Sequence, residues 1–185
     1  MPSLNEIKIL EMYLSLYNLN RNISPISMFK KILVPIDGSK HSHNALKTAL
    51  KLAKTHDSEL EILHVTSFSE EYVLTSPESD EGTMSEETTS PPGWMSEYIA
   101  KARENDEKML SQALKDAETQ YPKLKITAKL LWGRPGKTIV SEAEEERFDL
   151  VVIGSRGLSG LAELVLGSVS HHVVNESKIP VLVVK

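Results

Sequence analysis

Five short apolar runs punctuate this chain, and segments of helical period separate most of them. The runs cover residues 32–36, 60–65, 126–132, 150–153 and 180–184. Each is too short for a helix, and most are apolar on both faces, as a strand covered on both sides of a parallel sheet must be. Pro35 stands near the end of its run, where a missing N–H does least harm to the ladder. Between the runs, Ala45, Leu46, Ala49, Leu50 and Ala53 mark one face of a helix that Ser39 or Ser42 can cap. Met95, Ile99, Ala102, Met109, Ala113 and Ala117 form the inner stripe of a helix over 95–119. Ile139, Val140 and Ala143 turn inward from a helix over 137–147, and 158–175 reads as mostly helical. This alternation predicts an α/β three-layer sandwich around a five-stranded parallel sheet with right-handed crossovers. Ligands of such folds bind beyond the carboxyl ends of the strands, where the strand order reverses.

Two stretches stand outside the alternation. Residues 1–27 read as a short amphipathic helix with Ile7, Leu10, Leu14 and Tyr17 on one face, ended by Asn18, Asn20, Asn22 and Pro25. They are either an arm packed on the body or a partner, or an extension upstream of a natural start at Met28. The second reading is preferred, because residues 28–31 lead straight into the first strand. Residues 66–95 hold seven acids, no Lys or Arg, and a Pro91-Pro92-Gly93 close. That composition buries too little apolar surface to offset ordering entropy, so a flexible acidic loop is expected within a domain spanning 28–185. The loop is a candidate docking site for a protein partner, or for phosphate on its Ser and Thr side chains.

Charge and cysteine content narrow the function. The chain nets −5 over 185 residues, which argues against a broad nucleic-acid-binding face. Outside the acidic loop the remainder nets +2, which suits a phosphate ligand. With no cysteine there is no disulfide scaffold, thiolate zinc site, iron–sulfur cluster or thiol nucleophile. No apolar run reaches the roughly 18 residues of a membrane span and no secretory leader is recognisable, so a cytoplasmic protein with no membrane partner is expected.

The chemical signal lies after the fourth run. Gly154, two residues, Gly157, nine residues, then Gly167-Ser168 provide bare backbone N–H groups in a turn and a fresh helix start, both suited to phosphate. Ser168 and Ser170 add hydroxyls, and Arg156 adds positive charge. Two glycines alone would mean only a sharp exit from the strand. The complete spacing, between strands in the right order, points to phosphate binding.

Here the chain resembles the universal stress protein family in its ATP-binding branch. The resemblance rests on that glycine pattern, on residues 31–39 (KILVPIDGS), on Leu63-His64-Val65 and on Pro180-Val181-Leu182-Val183-Val184. It implies strand order 3-2-1-4-5 and bound ATP with Mg²⁺ or Mn²⁺ carried on the phosphates. It places Pro35, Ile36, the Val65 backbone and Ile153 near the adenine, and Asp37 at the ribose. Without the resemblance, Asp37 would be read as a turn or cap residue and Val65 as core. The resemblance also assigns Gly154, Arg156, Gly157, Gly167, Ser168, Val169 and Ser170 to the triphosphate and ribose shell. It implies a homodimer through residues 181–184, an apolar edge that needs cover in any case.

Other signals are set aside. Gly136-Lys137-Thr138 resembles the end of a Walker A loop, but Leu131 stands where that loop needs glycine. His171 and His172 are adjacent on a helix and diverge by about 100°, so they form no metal clamp. His41 and His43 read as surface residues, and His64 as core or pocket wall. Glu142, Glu144, Glu145 and Glu146 read as a solvated helix face. No Ser–His–Asp arrangement or nucleophile elbow is recognisable, so no catalytic or metal-ligating residue is assigned. The leading expectation is a nucleotide-dependent, dimeric binding module of the stress response. The alternatives are slow ATP hydrolysis or nucleotidyl transfer on the same fold, and a nucleotide-free structural dimer.

Overall fold

Ile32, Leu33 and Val34 follow one another with no solvent exposure, which only a central strand covered on both faces allows. In the computed structural model, which describes residues 29–67, 93–158 and 166–185, this run is strand β1 (Lys31–Pro35). The described elements then run α1 (Lys40–His56), β2 (Glu59–Thr66), α2 (Gly93–Gln120), β3 (Ile126–Trp132), α3 (Pro135–Glu145), β4 (Leu150–Gly154), α4 (Ser168–Glu176) and β5 (Val181–Val184). All four strand pairs are parallel, and the sheet order is β3-β2-β1-β4-β5. The expected three-layer sandwich and strand order are therefore present.

Alternation along the strands builds two cores. Ile32, Val34, Leu60, Ile62, Leu150 and Val152 face α1 and α2, packing on Ala45, Ala49, Leu50, Leu110 and Ala117. Leu33, Leu63, Val65, Val151 and Ile153 face α3 and α4, packing on Ile139, Ala143 and Val173. Each such fully buried aliphatic side chain contributes about 1.5–3 kcal/mol relative to exposure. A one-residue register slip would exchange the two faces, so the patterning holds the pairing Ile32↔Leu60 and Ile32↔Leu150 in place.

Helix α1 starts at Ser39, whose hydroxyl oxygen accepts from the Ser42 amide at 3.1 Å; of the two expected caps, Ser39 is the one used. It ends at Asp57 in the left-handed region, with Lys54 and His56 in its last turn complementing the helix dipole. In α2 the inner stripe is present at Ala113 and Ala117, joined by Leu110; Met95 and Ile99 lie outside the side chains described. The helix begins at Gly93, so 93–95 belong to it rather than to the expected loop, and Thr66 closes β2. Residues 1–28, 68–92 and 159–165 lie outside the described residues, and with them the N-terminal arm and most of the acidic loop. The expected helix over 158–175 is shorter among the described residues: Leu158 is in a turn and Gly167 is extended, so α4 starts at Ser168.

One charge assignment is corrected. Glu142 is not on a solvated face; it is buried and its carboxylate accepts from Lys129 Nζ on β3 at 2.7 Å. Position 142 falls one turn from Ile139 and beside Ala143, on the face of α3 that packs on the sheet. Glu61 on β2 joins this cluster. Burial first, then repulsion from Glu142, push its carboxyl above the ordinary range, while Lys129 offsets part of the effect. The hydrogen bond that Lys129 donates to Glu142, despite burial, holds Lys129 above its ordinary value.

Candidate functional site

Beyond the carboxyl ends of β1, β2 and β4 lies a cavity of about 430 Å³, at the point where the order reverses between β1 and β4. All twelve residues expected at a nucleotide site line it: Pro35, Ile36 and Asp37 after β1, Val65 at the end of β2, Ile153 and Gly154 in β4, Arg156 and Gly157 beyond it, and Gly167, Ser168, Val169 and Ser170 at the start of α4. The two halves of the glycine pattern meet in space. The Gly167 amide donates to the Ser155 carbonyl at 2.8 Å, and a β-carbon on Gly167 would stand 3.6 Å from the Gly157 nitrogen.

The glycines have different physical grounds. A β-carbon at Gly154 would lie 2.7 Å from the His41 carbonyl carbon and 2.8 Å from the Ser42 nitrogen, so β4 could not pass under the start of α1. At Gly157 it would lie 2.6 Å from Asp37 Oδ2, so this glycine lets the loop close over the aspartate. Gly167 is not forced by packing: its nearest neighbour would be the Arg156 Cα at 3.4 Å. Its φ of −71° is open to any residue.

Asp37 makes a turn contact and also lines the cavity. Its Oδ1 accepts from the Ser39 amide at 3.0 Å, a turn contact, while Oδ2 faces Gly157 at the cavity. Ser42 supports this turn, accepting from the Asp37 amide at 3.3 Å and donating to the Ser39 carbonyl at 3.0 Å. Ser170 does not offer its proton to a ligand. Buried, it donates to the Gly154 carbonyl at 2.6 Å and so ties α4 to β4. What α4 presents is backbone: Gly167 makes no side-chain capping bond, the first turn carries no acid, and the ladder starts with His171 N to Gly167 O at 2.8 Å. The amides of Ser168, Val169 and Ser170 thus have no intrahelical partner, which makes an anion-attracting end.

A further part of the wall includes Thr66 and Asp106, which periodicity and motifs did not reveal, beside His64, the expected core or pocket-wall residue. His64 Nδ1 lies 2.7 Å from the Ile36 carbonyl and therefore carries a proton, and Nε2 lies 3.3 Å from Asp106 Oδ1. Thr66 Oγ1 donates to Asp106 Oδ2 at 2.6 Å. His64, Thr66 and Asp106, with Ala102 and Met109, line the cavity and tie α2 to the end of β2. A signal was present: Asp106 stands four residues after Ala102 and three before Met109, an acid on an otherwise apolar stripe. Among the described residues no three acids or histidines cluster to hold a metal ion. Glycine contacts, an uncapped helix start and an apolar wall of Ile36, Val65, Ile139 and Ile153 give a pocket that is apolar on one side and anion-attracting at the helix start, at a topological switch point.

Comparison with known proteins identifies the family. The model of the universal stress protein family matches residues 28–185, and the chain belongs to that family. The universal stress protein YxiE of Bacillus subtilis is 37% identical over 163 residues, covering 85% of this chain and all of the relative. The solved structure of MJ0577, a universal stress protein of Methanocaldococcus jannaschii, superposes with a TM-score of 0.68 at 30% identity, covering 85% of this chain and 96% of that one. A universal stress protein solved in complex with cAMP superposes with a TM-score of 0.54 at 26% identity, covering 84% of this chain and 96% of the other.

Proposed function

We propose that this chain binds an adenine nucleotide in the cavity at the β1/β4 switch point, with ATP as its ligand and Mg²⁺ or Mn²⁺ carried on the phosphate oxygens. The observation that carries the reading is the uncapped start of α4 meeting the glycine turn after β4, within hydrogen-bonding reach of one concavity. The base would lie between Pro35, Ile36, Val65 and Ile153, and the ribose at Asp37 Oδ2. The phosphates would take the Gly154–Gly157 turn, Arg156, the backbone beside Gly167, and the amides of Ser168, Val169 and Ser170. The pocket fits such a group: it is apolar at one end and rich in N–H groups at the other. The relative solved with cAMP supports an adenine nucleotide in this fold. We place the binding module at residues 28–185, with 1–27 as an extension.

The module works as a cytoplasmic homodimer of the stress response. It pairs through β5, an edge strand whose Leu182 is 38% exposed, and it changes its interactions with nucleotide state rather than turning substrate over. Among the described residues, no helix is long and apolar enough to cross a membrane. Native mass spectrometry of freshly purified protein, followed by calorimetric titration with ATP and Mg²⁺, tests the reading. A bound adenine nucleotide on a two-chain species is expected. Absence of binding by folded protein would refute it.

A further inference from the structure

Asp106 is the acid that α2 brings to the cavity, where it shares the wall with the apolar Ile36, Val65, Ala102 and Met109. Its side chain is 26% exposed. A carboxylate in such surroundings costs free energy unless its oxygens are hydrogen-bonded. Thr66 Oγ1 donates to Oδ2 at 2.6 Å, and His64 Nε2 lies 3.3 Å from Oδ1. A carboxylate accepts at about four lone-pair sites over its two oxygens, so these contacts leave room for a further donor.

The fold sets this acid apart from the anion-attracting end. Its two partners flank Val65 on β2, and His64 Nδ1 donates to the Ile36 carbonyl after β1 at 2.7 Å. The uncapped start of α4 follows β4, and the sheet order puts β2 and β4 on opposite sides of β1. An acid in a cavity for a polyanion repels phosphate, so its counterpart is the part of the ligand that carries N–H donors and no charge. The apolar side chains of the wall can pack on any purine and cannot tell one from another.

Resting on the nucleotide reading above, we infer that Asp106 is the specificity-determining residue for the base: its carboxylate accepts a hydrogen bond from the exocyclic 6-amino group of adenine. An ionised carboxylate is an acceptor only. Adenine presents an N–H donor at that position, whereas guanine presents a carbonyl oxygen, which would set acceptor against acceptor. Thr66 and His64 hold the carboxylate in place, so binding orders little that is not already ordered.

The test is calorimetric titration of the full chain with the Mg²⁺ complexes of ATP, GTP and purine riboside triphosphate, which lacks only the 6-amino group. All three carry the same ribose and phosphates, so ratios of affinity report the base alone. The parent should bind ATP at least about tenfold tighter than either analogue. Asp106→Asn keeps the shape of the side chain and an acceptor for Thr66, and should bring ATP to within about twofold of purine riboside triphosphate. Equal affinity of the parent for those two ligands would overturn the inference. So would a preference for GTP, which would put the guanine N1–H and 2-amino group on the carboxylate. Equal weakening of ATP and purine riboside triphosphate in Asp106→Asn would reduce Asp106 to a tie between α2 and β2 and would overturn it too. In each of those cases nucleotide binding itself stands. The comparison within the parent needs no variant, so the inference can fail even where Asp106→Asn does not fold. If the parent binds no ligand, the nucleotide reading fails and this inference fails with it.

Discussion

Gly154→Ala and Gly167→Ala add the same single methyl to the same glycine pattern, yet the structure assigns them opposite consequences. At Gly154 the new carbon would sit 2.7 Å, 2.8 Å and 2.9 Å from the His41 carbon, the Ser42 nitrogen and the His41 oxygen. These are backbone atoms of the first turn of α1, held by the Ser39–Ser42 cap, and cannot step aside as a side chain could. Overpacking of this kind costs about 1–3 kcal/mol or more. For a domain of this size each kcal/mol lowers Tm by about 2–4 °C, so a fall of roughly 5–10 °C is expected. At Gly167 the nearest contacts would be 3.4–3.6 Å, ordinary van der Waals distances, and φ is −71°. Only the preference for Gly over Ala at a helix N-cap is lost, about 0.5–1 kcal/mol, and Tm falls by no more than about 4 °C. Binding should respond in the reverse sense. The Gly167 methyl enters the space proposed for phosphate and should weaken ATP by roughly tenfold, or about 1.4 kcal/mol. Differential scanning calorimetry without ligand and titration calorimetry with Mg²⁺–ATP read the two effects separately. If Gly154→Ala melts with the parent, or Gly167→Ala is the less stable of the two, the steric reasoning is wrong. If Gly167→Ala binds ATP as the parent does, the phosphate placement is wrong.

Further outcomes follow from the charged cluster, the edge strand and the aspartate. Burial holds the Glu61 carboxyl above the ordinary carboxylate range in the folded protein, so its contribution to stability is present at acid pH and is lost as pH rises through the folded value. Glu61→Gln should therefore melt above the parent at pH 7, with the difference shrinking towards pH 4 in thermal scans. Lys129→Met leaves Glu142 buried without its partner; because Lys129 is 38% exposed, the loss should be about 1–2 kcal/mol by urea titration, below that of a fully buried pair. Leu182→Glu places a charge on the exposed edge of β5 and should shift the protein to a monomer in light scattering after gel filtration. Asp37→Asn keeps an acceptor for the Ser39 amide, so stability should hold while nucleotide affinity falls in calorimetry.

The layers of this fold were legible because hydrophobic periodicity reports burial directly. Residues 32–34 are apolar at consecutive positions, and they are buried on both faces. Ile139 and Ala143 repeat at helical spacing, and both turn inward. Strand order was not legible in the same way. It came from resemblance to a family, since parallel runs of similar composition do not declare their neighbours. Leu158 and Gly167 were over-read as helix because apolar residues at mixed spacings fit a helix as well as a turn.

By itself, then, the sequence determined the parallel sandwich and a serine cap on the first long helix, because these depend on local chemistry and on spacing along the chain; the twelve residues that line one cavity were picked out in part by resemblance to a family, and the structure chose Ser39 over Ser42. Tertiary structure decided what each group is free to do. It engaged the Ser170 hydroxyl with Gly154, divided Asp37 between a turn and the cavity, and separated Gly154, which packing against backbone requires, from Gly167, which it does not. It also buried Glu142 against Lys129 and set Asp106 against His64. Those partners are 13 and 42 positions apart, and the burial of a charged group, with the sign of its neighbour, is fixed only when distant segments meet.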